Sequence, residues 1–132
     1  MARSPSSDLP AKRTIAYVVD PDAEERRLIE AVLSQAAEVV SGFNDAEGLP
    51  GLIEECEGCI VIAVEPDEKA TLELVRKLRR SGKLVPVIVV GPRTAFRTAT
   101  DIARLGFTDF LERPLSALKL RVAIERASRH KG

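Results

Sequence analysis

The residues of this chain that are typed and spaced for chemistry crowd into one stretch. Cys56 and Cys59 form a C-x-x-C pair, and "GCIVIAVEPDEK" runs from Gly58 to Lys69. Zinc takes about four ligands, but no second pair follows and the sole histidine is His130. A redox C-x-x-C opens a helix after a strand, whereas this pair precedes a strand. Cys59 therefore reads as a small buried strand residue and Cys56 as incidental. Downstream, Ile60 to Val64 is unbroken and apolar, then stops at an acidic, Pro-containing turn. That is the outline of a buried strand running out to a loop. The carboxyl ends of strands in open α/β sheets are where chemistry is done. This strand closes on Ala63 and Val64, which carry no nucleophile, acid or ligand. Two other chemistries have no residues to support them. There is no G-x-x-x-x-G-K-[ST] loop and no G-x-G-x-x-G after a strand, so nucleotide binding has no motif. No Ser, His and Asp set has workable spacing, because His130 sits in the tail.

The elements that would position such a strand end follow from length and pattern. The chain has 132 residues, the size of one domain. It is 45% hydrophobic and 30% charged, as a soluble globular protein is. No run reaches the ~20 apolar residues of a membrane span. Arg3 is present, but no apolar signal segment follows it. The expected location is the cytoplasm. The formal net charge is zero, yet residues 20–69 are strongly acidic and residues 70–132 strongly basic. Such a split marks either solvated helix faces or a docking surface.

Residues 1–13, rich in Ser and Pro, read as a disordered lead-in to a single domain over 14–130. From there strands and helices alternate. Strands are expected over 14–19, 37–40, 59–64, 85–90 and 107–111. Helices are expected over 22–35, from Asn44 or Asp45 to about 54, over 67–80, 94–105 and 115–128. Gly82 would cap the third helix. Five strands alternating with five helices, with no hairpin signals, require a parallel sheet covered on both faces. Right-handed crossovers leave few topologies, among them the flavodoxin-like order 2-1-3-4-5. With the last helix ending near Gly132, a single domain is the expectation.

The stretches "AYVVDPDAEERRLIEAVL", "GCIVIAV", "LELVRKLRRSGKLVPVIVV" and "RLGFTDFLERP" together resemble the receiver domain of two-component response regulators, over about residues 14–128. The resemblance implies the doubly wound fold and a place in phosphorelay signalling. It also implies phosphoryl transfer to an aspartate. The family's site uses two acids that help hold Mg²⁺, an acceptor Asp, a Thr or Ser hydroxyl, a Lys before a Pro, and a switch aromatic.

Carried over residue by residue, the resemblance puts the first acid on Asp20 and the second on Pro21, which has no ligand. The acceptor falls on Ala63, the hydroxyl on Gly91, and the Lys on Arg113 beside Pro114. The aromatic falls on Phe110. A methyl group cannot accept a phosphoryl group. Pro21 and Gly91 point the same way, so the phosphorylation site is read as degenerate. Asp22 and Glu65 are the candidate stand-in acids, with Asp22 also placed to cap a helix. Asp67 and Glu68 read as acids of a helix start.

The leading expectation is a stand-alone atypical receiver that is not an enzyme. It would act by protein–protein contact without phosphorylation, with Mg²⁺ bound weakly or not at all and no other cofactor. The resemblance places the dimer or output face on the fourth helix, fifth strand and fifth helix, here carrying Arg97, Arg104, Lys119 and Arg121. The occupant would be a signalling protein or a second copy. An active relay using Glu65 is one alternative. A nucleic-acid module using the basic half is another, against which stand the missing recognition-helix motif and the few aromatics. Arg113 is expected to fork onto Asp20 or Glu65 across the strand ends.

Overall fold

Five short apolar segments pair in parallel, and their alternating side chains fill two separate cores. The computed structural model describes residues 15–45, 58–64, 68–82, 85–106 and 108–129. Within these, β1 (Ile15–Val19), α1 (Ala23–Leu33), β2 (Val39–Phe43) and β3 (Ile60–Ala63) come first. They are followed by α2 (Glu68–Arg80), β4 (Val87–Gly91), α3 (Phe96–Ala103), β5 (Thr108–Glu112) and α4 (Ala117–Arg129). The sheet order is β2-β1-β3-β4-β5, all parallel, with Val19 level with Ile62 and Ala63 level with Val90. This is the flavodoxin-like doubly wound order.

Successive strand residues point to opposite faces. Tyr17, Val19, Ile60, Ile62 and Val89 pack with Leu74, Val75 and Leu78 of α2 and Ile102 of α3. Ala16, Val18, Val61, Ile88 and Val90 pack with Ile29, Val32 and Leu33 of α1 and Leu120, Ala123 and Ile124 of α4. Each fully buried Ile or Leu contributes about 1.5–3 kcal/mol of transfer free energy. The sheet centre is therefore closely packed, and the site residues stand at its carboxyl ends. Cys59 is buried in the second core and its carbonyl accepts from the Tyr17 N–H.

Several element ends differ from the sequence expectation, each for a local reason. The strand expected over 37–40 is Val39–Phe43. The end of α1 winds on through Gln35 and Ala36, and the Ala37 N–H still bonds to the Leu33 carbonyl. Pairing with β1 can begin only at Val39, and it extends to Phe43, whose ring packs on Tyr17 at 5.9 Å. The helix expected over 94–105 is a 3₁₀ turn, Arg93–Ala95, followed by α3. The Ala95 N–H bonds to the Pro92 carbonyl, a three-residue reach. The last helix starts at Ala117 rather than 115, because the Ser116 hydroxyl accepts the Lys119 N–H as a cap. Gly82 follows α2 at φ +87°, the left-handed conformation that suits glycine. The helix expected from Asn44 or Asp45 to about 54 falls, beyond Asp45, outside the described residues, as does the lead-in over 1–13. No described helix is long and apolar enough to cross a membrane.

Candidate functional site

Asp20 follows β1 directly and is completely buried. Its backbone is fixed on both sides. The N–H donates to the Phe43 carbonyl at 3.0 Å, and the carbonyl accepts from Arg26 Nη1 at 2.7 Å. Its Oδ1 accepts the Asp22 N–H at 2.9 Å, while Oδ2 is buried without a donor. Burial is the main cause that raises the Asp20 pKa to about 7, and the neighbouring Glu25 carboxylate raises it further by hydrogen bond and by charge. The Asp22 N–H and the Arg113 charge pull the other way. A proton on Asp20 resolves the orphaned oxygen, since Glu25 offers only acceptors.

Asp22 starts α1. Its carboxylate accepts the N–H groups of Glu24 and Glu25 at 2.9 and 3.0 Å, the geometry of an N-cap. The D-x-x-E spacing from Asp22 to Glu25 matches a capping box, in which the Glu reaches back to the cap N–H. The structure does otherwise. The Asp22 N–H goes to Asp20, and Glu25 turns to Arg113. Arg113 Nε lies 3.0 and 2.9 Å from the two Glu25 oxygens, and Nη2 lies 2.9 Å from one of them. Burial opposes the Glu25 charge, but the Arg113 hydrogen bonds, with help from Asp20, hold its pKa below the ordinary range.

The Arg113 fork lands on Glu25, a partner the sequence reading did not name. Arg113 holds Glu25 and acts on Asp20 through its charge. Glu65 lies outside the described residues. Sequence reasoning did not single out Glu25. The available signal was a helix start fixed at Asp22, which places residue 25 within the first turn above the strand ends.

The other strand ends are apolar. Ala63 closes β3, is buried, and offers its carbonyl to the Thr71 hydroxyl at 3.4 Å. Gly91 closes β4, and a Cβ built on it would lie 2.6 Å from Val64 Cγ1. The Val64 side chain therefore fills the space beside Gly91. Pro21 is exposed. Phe110 on β5 is half-buried against the first core, over a cavity of about 180 Å³ lined by Val89, Ala99, Ile102 and Asp109. Asp109 accepts the Phe110 N–H at 2.8 Å and faces Arg126 at 3.6 Å. A more open groove of about 660 Å³ runs past the Glu25–Arg113 pair, between Leu28, Pro114 and Leu115, with Asp22 and Glu24 on its rim.

Arg97, Arg104, Lys119 and Arg121 are all exposed. Residues two apart on a helix point about 200° apart. Lys119 shares a flank with Arg126, two turns on, which faces Asp109 of β5. Arg121, two residues on, points to the other flank of the helix.

The comparisons with known proteins agree with this architecture. The transcriptional regulatory protein FixJ of Bradyrhizobium diazoefficiens is 31% identical over 117 residues, covering 86% of this chain and 56% of FixJ. The DNA-binding transcriptional regulator NtrC of Rhizobium meliloti is 30% identical over 112 residues, covering 83% of this chain and 23% of NtrC. Among solved structures, full-length FixJ from B. japonicum has a TM-score of 0.75 at 26% identity, over 92% of this chain and 60% of that one. The FixJ-N structure has a TM-score of 0.76 at 24% identity, over 89% and 94%. No family model matches. The chain is a receiver domain of the response-regulator type, a module of two-component signalling. It spans about half the length of FixJ and less than a quarter of NtrC.

Proposed function

We propose that this receiver works as a pseudo-receiver, signalling by protein–protein contact without phosphorylation. The observation that carries the reading is Ala63 at the end of β3, where the family resemblance calls for the acceptor aspartate. Gly91 supplies no hydroxyl and Pro21 no ligand. The donors present also fit Mg²⁺ poorly. Asp20 keeps one orphaned oxygen and is held near neutrality, while Arg113 occupies both oxygens of Glu25. Magnesium wants several oxygen ligands in octahedral geometry. Among the described residues no three acidic, His or Cys side chains gather to provide them. The internal guanidinium stands where a cation would balance the acids.

The output face in this proposal is the β5 flank, with Arg97 on α3, Arg104 at its C-terminal end and Lys119 on α4. Its occupant would be a signalling partner. The test of the central reading is incubation with acetyl phosphate and Mg²⁺, followed by intact mass. No adduct is expected. A stoichiometric, hydroxylamine-labile adduct would overturn the reading and point to Glu65 or to Asp22.

A further inference from the structure

The helices α2 and α3 pack on the same face of the sheet and run parallel, each returning antiparallel to the strand before it. They are tied at both ends. The Thr98 hydroxyl donates to the Glu68 carboxylate where the two helices start. Arg79 donates to the Leu105 and Gly106 carbonyls where they end. Helices packed side by side stand about 8–10 Å apart. The pair is therefore a platform with two crests and a groove between them.

Both crests are basic, and both are interrupted by acids. Lys69, Glu73, Arg76 and Arg80 recur every three or four residues on α2, away from the Leu74, Val75 and Leu78 that face the sheet. Arg97, Asp101 and Arg104 do the same on α3 and its cap, away from Ile102. Arg76 is taken by Glu73 at 3.0 Å. Lys69, Arg80, Arg97 and Arg104 are exposed and have no ion-pair partner among the described residues. Four free cations over two tethered helices call for an anionic occupant.

The pattern selects among anions. A nucleic-acid backbone is uniformly negative and would bring phosphates against Glu73 and Asp101. A lipid surface is held by apolar anchors as well as charge. The exposed large hydrophobics among the described residues, Leu118 and Val122, are on α4, across the sheet. A protein helix meets both demands, because its own residues can alternate in sign. Arg97 and Arg104 lie two turns, about 10.5 Å, apart, a spacing that a second helix repeats. We propose that this platform docks an acidic helix of a protein partner, laid along the groove between α2 and α3. Its carboxylates, two turns apart, would meet Arg97 and Arg104 on one side and Lys69 and Arg80 on the other. Such docking rests on the contact-based reading above and gives its partner a chemistry. Arg97 and Arg104 also border the β5 flank, whereas Lys69 and Arg80 do not, so the α2 crest separates the two surfaces.

The probe is a fluorescein-labelled, alanine-based helical peptide with glutamates at i, i+4 and i+7, beside its all-Gln counterpart and a random-sequence DNA duplex. Fluorescence anisotropy with the full chain at low salt should show saturable binding of the Glu peptide and none of the Gln peptide. Lys69→Glu plus Arg80→Glu should weaken it about tenfold or more, as should Arg97→Glu plus Arg104→Glu. An equal charge change on the opposite layer, Arg27→Glu plus Arg121→Glu, should leave it within about twofold. In the wild-type chain, amide NMR shifts caused by the Glu peptide should fall within α2 and α3. A Glu peptide that does not bind overturns the proposal. So does a control pair that weakens binding as much as the crest pairs, or a DNA duplex that binds more tightly than the peptide on the same residues. Binding lost in Lys119→Glu but kept in Lys69→Glu plus Arg80→Glu also overturns it, and moves the partner to the β5 flank while leaving the contact-based reading intact.

Discussion

Glu25 and Arg113, 88 positions apart, meet in a two-pronged ion pair with N–O distances of 2.9–3.0 Å. The pair ties the first turn of α1 to the loop after β5. It is mostly shielded, the side chains being 14% and 27% exposed. Arg113→Ala should therefore cost about 1–3 kcal/mol, above the ~0–1 kcal/mol of a surface pair. A double-mutant cycle with Glu25→Gln, read by urea unfolding, should return a coupling of about 1 kcal/mol or more. Zero coupling would mean the fork has no energetic role.

Asp20 gives stability a pH dependence whose sign is fixed by its raised pKa. Between its ordinary value of 3.8 and about 7, the folded chain holds a proton that the unfolded chain has lost. Stability therefore falls as pH rises across that window and levels off above it. Glu25, with a lowered pKa, contributes the opposite slope at lower pH. Asp20→Asn should abolish the first slope and gain on the wild type by on the order of a few kcal/mol at about pH 8. Unfolding midpoints at several pH values would show it. A slope that survives in the variant would assign the proton elsewhere.

Gly91 leaves no room for a side chain while Val64 holds its present rotamer. Gly91→Ala should destabilise by about 1–3 kcal/mol, the range of overpacked cores. Adding Val64→Ala should recover part of that loss. If Gly91→Ala alone is neutral in thermal unfolding, the strand end is looser than the packing implies.

Arg79 reaches from α2 to the end of α3. Its Nε and Nη2 donate to the Leu105 and Gly106 carbonyls at 2.7–3.2 Å, and burial lowers its pKa. Arg79→Met keeps much of the stem and removes the donors. It should cost about 1–3 kcal/mol and speed amide exchange at residues 104–106. Unchanged exchange there would show that the carbonyls find water as good a partner.

Much of this architecture was legible in the residues. The run Ile60–Val64, the "VPVIVV" strand and the leucine spacing of 67–80 each carry their own periodicity, so strand order and core follow. The end of α1 was not legible, because its last turns rest on backbone bonds around Ala36 and Ala37 that any sequence can make. Asp20 and Arg113 could be singled out by type and place. The Glu25 partnership could not, since it depends on the height of α1 above two strands far apart in sequence.

Asp109 bends back to take the N–H of Phe110 at 2.8 Å. β5 is an edge of the sheet, and an edge strand normally offers its outward donors as a template for another strand. That donor is already spent within the chain, and Arg126 stands against the same carboxylate. An extended peptide laid along β5 would meet an occupied N–H and a charged pair in place of an open ladder. At Phe110, then, a partner of the proposed β5 surface would have to be met by side chains rather than by an added strand.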